Sequence, residues 1–138
     1  MSHAASSQDV IATIGRTPYT VRLAAGGHTL ASDEPADAGG ADAGPDPFAL
    51  LLCSLASCVL ITMRMYASRK DWPLESAEAR LIPTRKAAQP LEAVHIELTL
   101  RGPLSEEQRS RIFDIAARCP VHRTLEPAVH ITTALMTP

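Results

Sequence analysis

The segment that most constrains this chain is an apolar run from Phe48 to Met63. Its only polar side chains are Ser54, Ser57, Thr62 and the thiols of Cys53 and Cys58. Gly44-Pro45-Asp46-Pro47 leads into it, with Asp46 as N-cap and Pro47 at the first helical position, where a missing N–H costs nothing. Asp71-Trp72-Pro73 ends it, because the residue before a proline avoids the helical region. A helix apolar on nearly every face is a buried helix, so the run predicts a long core helix. It falls short of the roughly 20 apolar residues that span a bilayer and contains serines, which argues against a membrane span.

With 138 residues the chain is long enough for one domain with a substantial core, and residues 1–138 are read as a single domain with residues 1–7 a flexible polar leader. A net charge of −2 gives no electrostatic basis for binding nucleic acid or anionic lipid. The three cysteines fit neither a disulfide framework nor a zinc knuckle, and Met1–Val10 lacks the charged and apolar regions of a signal peptide. The expected setting is cytoplasmic, where thiols stay reduced unless something uses them.

Along the chain, residues 8–14 are strand-like and Gly15–Pro18 reads as a turn. Tyr19, Val21 and Leu23 alternate with Thr20 and Arg22 as in a half-buried strand. Gly26-Gly27 turns into a short third strand, His28–Ala31, completing an antiparallel meander. Residues 32–45 form a Gly/Pro-rich loop, either a solvated linker or a functional loop. After the helix, Leu74–Ile82 and Leu91–Leu100 read as strands joined by a loose loop, the second with Val94, Ile96, Leu98 and Leu100 on one face. Ser105-Glu106-Glu107-Gln108 is a capping box opening a helix to about Arg118, with Ile112, Ile115 and Ala116 on one stripe. Pro120 starts a short helix through Leu125, and Ala128–Met136 closes the chain as a strand. The order βββ-α-ββ-α-α-β is an α+β pattern in which sheets wrap helices.

At 100° per residue, Cys53 and Cys58 lie about 140° apart around the helix and cannot pair without unwinding it. Cys53 sits among leucines and reads as a buried structural thiol. Cys58 shares its side with Ser54, Thr62, Met65 and Arg69, and on these residues alone it is either inert packing or placed chemistry. Cys119 stands at the expected N-cap of the short helix, where free N–H groups and the helix dipole favour a thiolate. Arg118, His122 and Arg123 add charge nearby, so Cys119 is either a plain capping residue or the thiol with the strongest local reason to react. Cys119 and His122 alone make a weak case for a metal, and no metal site is assigned. Of the histidines, His28, His95 and His130 read as surface strand residues, and His122 as the one placed to tune Cys119.

Taken jointly, these motifs resemble the OsmC/Ohr family of organic hydroperoxide reductases, in a subgroup with the pattern DEP…GG.D.GP.P, LL…L..C…T.RMYA.RK and A.RCPVHRTL. The residues that carry it are Asp33-Glu34-Pro35, Gly39-Gly40, Gly44–Pro47, Met63–Ala67 and Arg118–Leu125, and it extends over about residues 8 to 136. The resemblance implies an OsmC-like α+β fold with antiparallel sheets wrapped around long central helices in an intertwined homodimer. It implies that Cys58 is the peroxidatic cysteine and Cys119 the resolving one, with an arginine from the early strands stabilising the thiolate. Arg16 is the match for that arginine. The family's glutamate after the GP.P turn, which positions the arginine, is replaced here by Phe48.

The expected function is thiol-dependent reduction of small apolar hydroperoxides, with a dithiol reductant as co-substrate and no bound cofactor. The departure at Phe48 motivates the alternative, a non-catalytic dimeric module of the same fold that binds a hydrophobic ligand or senses oxidation.

Overall fold

Strand β5 (Ala93–Arg101) buries Val94, Ile96, Leu98 and Leu100 and turns His95 and Arg101 outward, the alternation that a strand with one covered face must show. In a computed structural model describing residues 8–138, it is the central strand of a three-stranded sheet. β4 (Ser76–Thr84) pairs with it antiparallel from Ser76↔Arg101 to Thr84↔Ala93, and β6 (His130–Met136) pairs parallel from Ala93↔His130 to Thr99↔Met136. The parallel pairing departs from the all-antiparallel expectation. Between β5 and β6 the chain passes through two helices, α2 (Glu106–Ala116) and α3 (Pro120–Leu125), and such a crossover returns the chain in its original direction.

The chain divides into two compact units, residues 1–51 and 52–138, with the long helix α1 (Pro47–Arg69) beginning in the first and running on through the second. In the second unit, the core combines the inner face of β5 with Leu55, Val59, Met63 and Ala67 of α1 and Ile112 and Ala116 of α2. The spacing of the α1 residues is i, i+4, i+8, i+12, one narrow helical stripe. The capping box holds as read: Gln108 N donates to Ser105 Oγ at 3.1 Å and Ser105 N to Gln108 Oε1 at 2.9 Å. Arg109 then ties α2 to the end of β5 by donating to the carbonyls of Leu100 and Gly102.

Helix α1 starts as expected, with Ala49 N donating to Asp46 Oδ1 at 2.7 Å. It ends in a Schellman motif, in which Trp72 N reaches Ala67 O and Asp71 N reaches Ser68 O, with Asp71 left-handed at φ 57°. Trp72 packs edge-on against Tyr66 at 5.5 Å. At 23 residues the helix is longer than its apolar run, and by length and composition alone it would suffice to cross a bilayer. The expectation of burial on all faces is corrected here. Outside its single stripe the helix is largely open, with Ile61 and Met65 more than half exposed. Cys53, two residues before Leu55 and on another side of the helix, is exposed rather than buried.

The first unit carries the meander β1 (Val10–Ile14), β2 (Val21–Ala25) and β3 (His28–Ser32), antiparallel throughout. Gly26 and Gly27, both at positive φ, make the two-residue turn between β2 and β3. Residues 1–7, read as a leader, lie outside the described residues. The loop after β3 is not a slack linker. It includes a 3-10 turn at Ala36–Ala38 and is organised around the buried carboxylate of Asp33. Asp33 Oδ2 accepts from the Thr20 hydroxyl at 2.7 Å and from Ala43 N at 3.2 Å, while Oδ1 accepts from Glu34 N at 2.7 Å. The Thr20 hydroxyl foremost, then these amides, hold the Asp33 carboxyl below its usual range against the opposing effect of burial.

Candidate functional site

The second unit brings two of the three expected site residues together. Cys58 lies midway along α1 and is partly exposed, and Cys119 precedes α3 and is fully buried. Although far apart in the chain, their thiols are neighbours, near enough for the Cys58 side chain to act on the protonation of Cys119. Cys119 reaches this position because the chain breaks after α2 and restarts at Pro120, which leaves Cys119 as the N-cap of α3. There its Sγ accepts from the backbone N–H of His122 at 3.4 Å.

The local electrostatics of Cys119 differ from the sequence expectation. A helix N-terminus favours a thiolate, and the His122 N–H does pull in that direction. Burial acts more strongly the other way, and the neighbouring Cys58 thiol adds to it, so that Cys119 is pushed up from 9.0 to about 11. Two features explain the outcome. A six-residue helix has a weak dipole, and Arg118 and Arg123 are exposed to solvent, where water screens them. Near neutral pH Cys119 is therefore a thiol, able to donate its proton to the sulfur beside it.

His122 is buried as well, at 3% exposure, unlike His28, His95 and His130, which are exposed as read. Its Nδ1 stands 3.7 Å from Glu126 Oε2, one helical turn on, without a hydrogen bond. The sequence signal for this residue was its place three positions after the N-cap, where the backbone N–H points back at the capping side chain.

Next along α1 from Cys58, Leu60, Ile61, Arg64 and Met65 join Leu74 and Ala77 in lining an apolar groove of about 450 Å³. Arg64 is fixed at its side by donating to Leu74 O at 2.7 Å. Arg16 belongs to the first unit, in the exposed bend after β1. Phe48 occupies the first turn of α1 and is half-buried. Asp33 is the residue whose part the sequence did not disclose. A carboxylate shortly before two glycines and two prolines was its only signal.

Three comparisons bear on this arrangement. Residues 39–134 match the family described as OsmC-like protein. A comparison with curated proteins found no match. Among solved structures, an OsmC-like protein from Mycoplasma pneumoniae is 20% identical with a TM-score of 0.81, covering 97% of this chain and 99% of its own. An organic hydroperoxide resistance protein OsmC from Legionella pneumophila is 18% identical with a TM-score of 0.69, covering 96% and 98%. The organic hydroperoxide resistance protein OhrB of Bacillus subtilis is 18% identical with a TM-score of 0.67, covering 96% and 100%. At these identities the similarity is one of fold.

Proposed function

Because the chain belongs to the OsmC-like protein family, we propose that it reduces organic hydroperoxides to alcohols with Cys58 as the attacking thiol and Cys119 as the resolving one. The observation that carries this reading is the neighbouring placement of the two thiols, one partly exposed and one buried. Peroxide reaches the accessible sulfur. The Cys58 thiolate attacks the distal oxygen of ROOH, the O–O bond breaks, and the alkoxide leaves as ROH with a proton. Cys58 is then a sulfenic acid. The Cys119 sulfur displaces its hydroxyl, which departs as water with the Cys119 proton, and the S–S bond keeps the site off the irreversible steps of oxidation. A dithiol reductant reopens the disulfide by exchange and takes up the oxidising equivalents. No bound cofactor or metal enters these steps.

The apolar lining beside Cys58, from Leu60 to Ala77, suits a greasy hydroperoxide better than hydrogen peroxide. In this reading Arg16 stabilises the Cys58 thiolate. The working unit is a homodimer in which a second copy covers the open faces of α1, a role supported by the exposure of Ile61 at 54% and Met65 at 59%. The setting is the cytoplasm, where a dithiol reductant is at hand.

Hydroperoxide consumption tests the reading. Cys58→Ser is expected to abolish turnover, whereas Cys119→Ser completes one turnover and stops at a trappable sulfenic acid. Full activity in Cys58→Ser would sink the mechanism. Phe48, in place of the family's carboxylate, favours the alternative of a dimeric module that binds an apolar ligand or senses oxidation. That alternative expects a hydrophobic probe to bind unchanged after both cysteines are replaced, with no hydroperoxide consumed by the native chain.

A further inference from the structure

The peroxidase reading leaves the buried imidazole of His122 without a task. His122 is 3% exposed, and its Nδ1 is buried without a hydrogen-bond partner, an arrangement that proteins seldom keep without a use. Glu126 Oε2 stands 3.7 Å from Nδ1. The Glu126 side chain is 58% exposed, so it has room for the small rotation that closes the gap to a hydrogen bond.

The backbone of the same residue serves both ends of α3. Its N–H donates to Cys119 Sγ at 3.4 Å, and its carbonyl accepts from Glu126 N at 2.9 Å. A helix of six residues is too short to hold itself together. Whatever fixes His122 therefore fixes the donor that aims the Cys119 sulfur.

We propose that His122, tethered by Glu126, is a positioning residue for the resolving step: it holds the start of α3 in the geometry from which the Cys119 thiol meets a sulfenic acid on Cys58. This rests on the peroxidase reading and adds to it the residue that governs its second chemical step. In that step the S–H bond of Cys119 and the S–O bond of Cys58 break, the S–S bond forms, and the proton and hydroxyl leave together as water. The hydroperoxide has already supplied the oxidising equivalents. His122 contributes no atom to the products, so its loss slows condensation while leaving the first oxidation untouched.

The experiment separates the two steps. The full chain receives one equivalent of cumene hydroperoxide and is sampled over time, with a sulfenic-acid trap reporting Cys58 oxidation and non-reducing mass spectrometry reporting the Cys58–Cys119 disulfide. In His122→Leu, sulfenic acid is expected at the native rate, with condensation roughly tenfold slower, about the weight of one hydrogen bond. His122→Asn, which places an amide where Nδ1 stands, is expected to recover condensation to within about threefold of native. Glu126→Gln, a change at an exposed side chain, is expected to slow it by about threefold.

Native condensation rates in both His122→Leu and Glu126→Gln would overturn the proposal. A slow His122→Leu that His122→Asn fails to rescue would overturn it too, since loss of packing alone would then account for the effect. If His122→Leu does not melt cooperatively, Glu126→Gln decides, and a native rate there overturns the tether. Failure of the underlying reading looks different: no sulfenic acid forms on Cys58 even in Cys119→Ser, and this inference falls with it.

Discussion

The thiol of Cys119 at the start of α3 neighbours the thiol of Cys58 in the middle of α1, which helps to keep it protonated. The two sulfurs differ in access: Cys58 is partly exposed and Cys119 has no exposed surface. Alkylation of the reduced native chain with iodoacetamide at pH 8 should therefore label Cys53 and Cys58 well before Cys119, as peptide mapping would read. Equal labelling of all three would contradict the burial.

The burial of Cys119 also has a pH signature. Its folded value lies above its unfolded one, about 11 against 9.0. Across that interval the folded chain keeps a proton that the unfolded chain has lost, so stability must fall as pH rises through it. Below pH 9 the contribution is fully present. Denaturant titrations from pH 8.5 to 11 should show the native chain losing stability more steeply than Cys119→Ala, and parallel curves would refute the assignment.

The Asp33 carboxylate works in the opposite direction. Its folded value is held below the ordinary 3.8, first by the Thr20 hydroxyl. The stabilisation is fully present above the unfolded value and is lost as pH falls through the lower folded one. Thr20→Val should lower the melting temperature at pH 7, and the gap from native should close as the buffer is taken from pH 4 to pH 2.

The central strand sets a larger scale. Leu98 is fully buried in the middle of β5, with β4 on one side and β6 on the other. Leu98→Ala should cost about 2–5 kcal/mol, read as a shift of the urea midpoint at constant slope. Glu97→Ala, next to it on the outer face and paired with a 73% exposed Arg80 at 3.4 Å, should cost under about 1 kcal/mol.

The loop after β3 has little room for change at one glycine. A Cβ on Gly40 would stand 1.9 Å from the Glu34 carbonyl oxygen and 2.8 Å from Asp33 Oδ1, so backbone must move. Gly40→Ala should destabilise the first unit, and Gly15→Ala, whose added Cβ meets nothing within 4 Å, should not. Hydrogen exchange of the Glu34 and Ala43 amides would report it directly, since both donate to Asp33.

Much of this architecture is written in local chemistry. The alternation from Val94 to Leu100, the box at Ser105–Gln108 and the Cys119-Pro120 restart each specify an element through groups a few residues apart, so each was legible. The direction of β6 was not, because a parallel partner depends on a crossover through two helices rather than on any residue in the strand. The ordering of residues 33–45 was hidden for a similar reason: Asp33 draws on Thr20, thirteen positions back. Cys53 misled because leucines beside it in sequence are not beside it around the helix, where the buried stripe is Leu55, Val59, Met63 and Ala67. At the candidate site, both cysteines could be named from the sequence, but their contact and the protonation of Cys119 arise only from packing.

The exposed position of Cys53, away from the Cys58–Cys119 pair, gives the chain an internal standard. Of three thiols, two are consumed when the pair closes and one remains countable. A colorimetric thiol assay on native-sequence protein should step from three per chain to one after a single equivalent of hydroperoxide. The remaining thiol also sets a stoichiometric limit: a count that falls below one marks linkage between chains through Cys53, a side reaction separable from turnover by gel mobility alone.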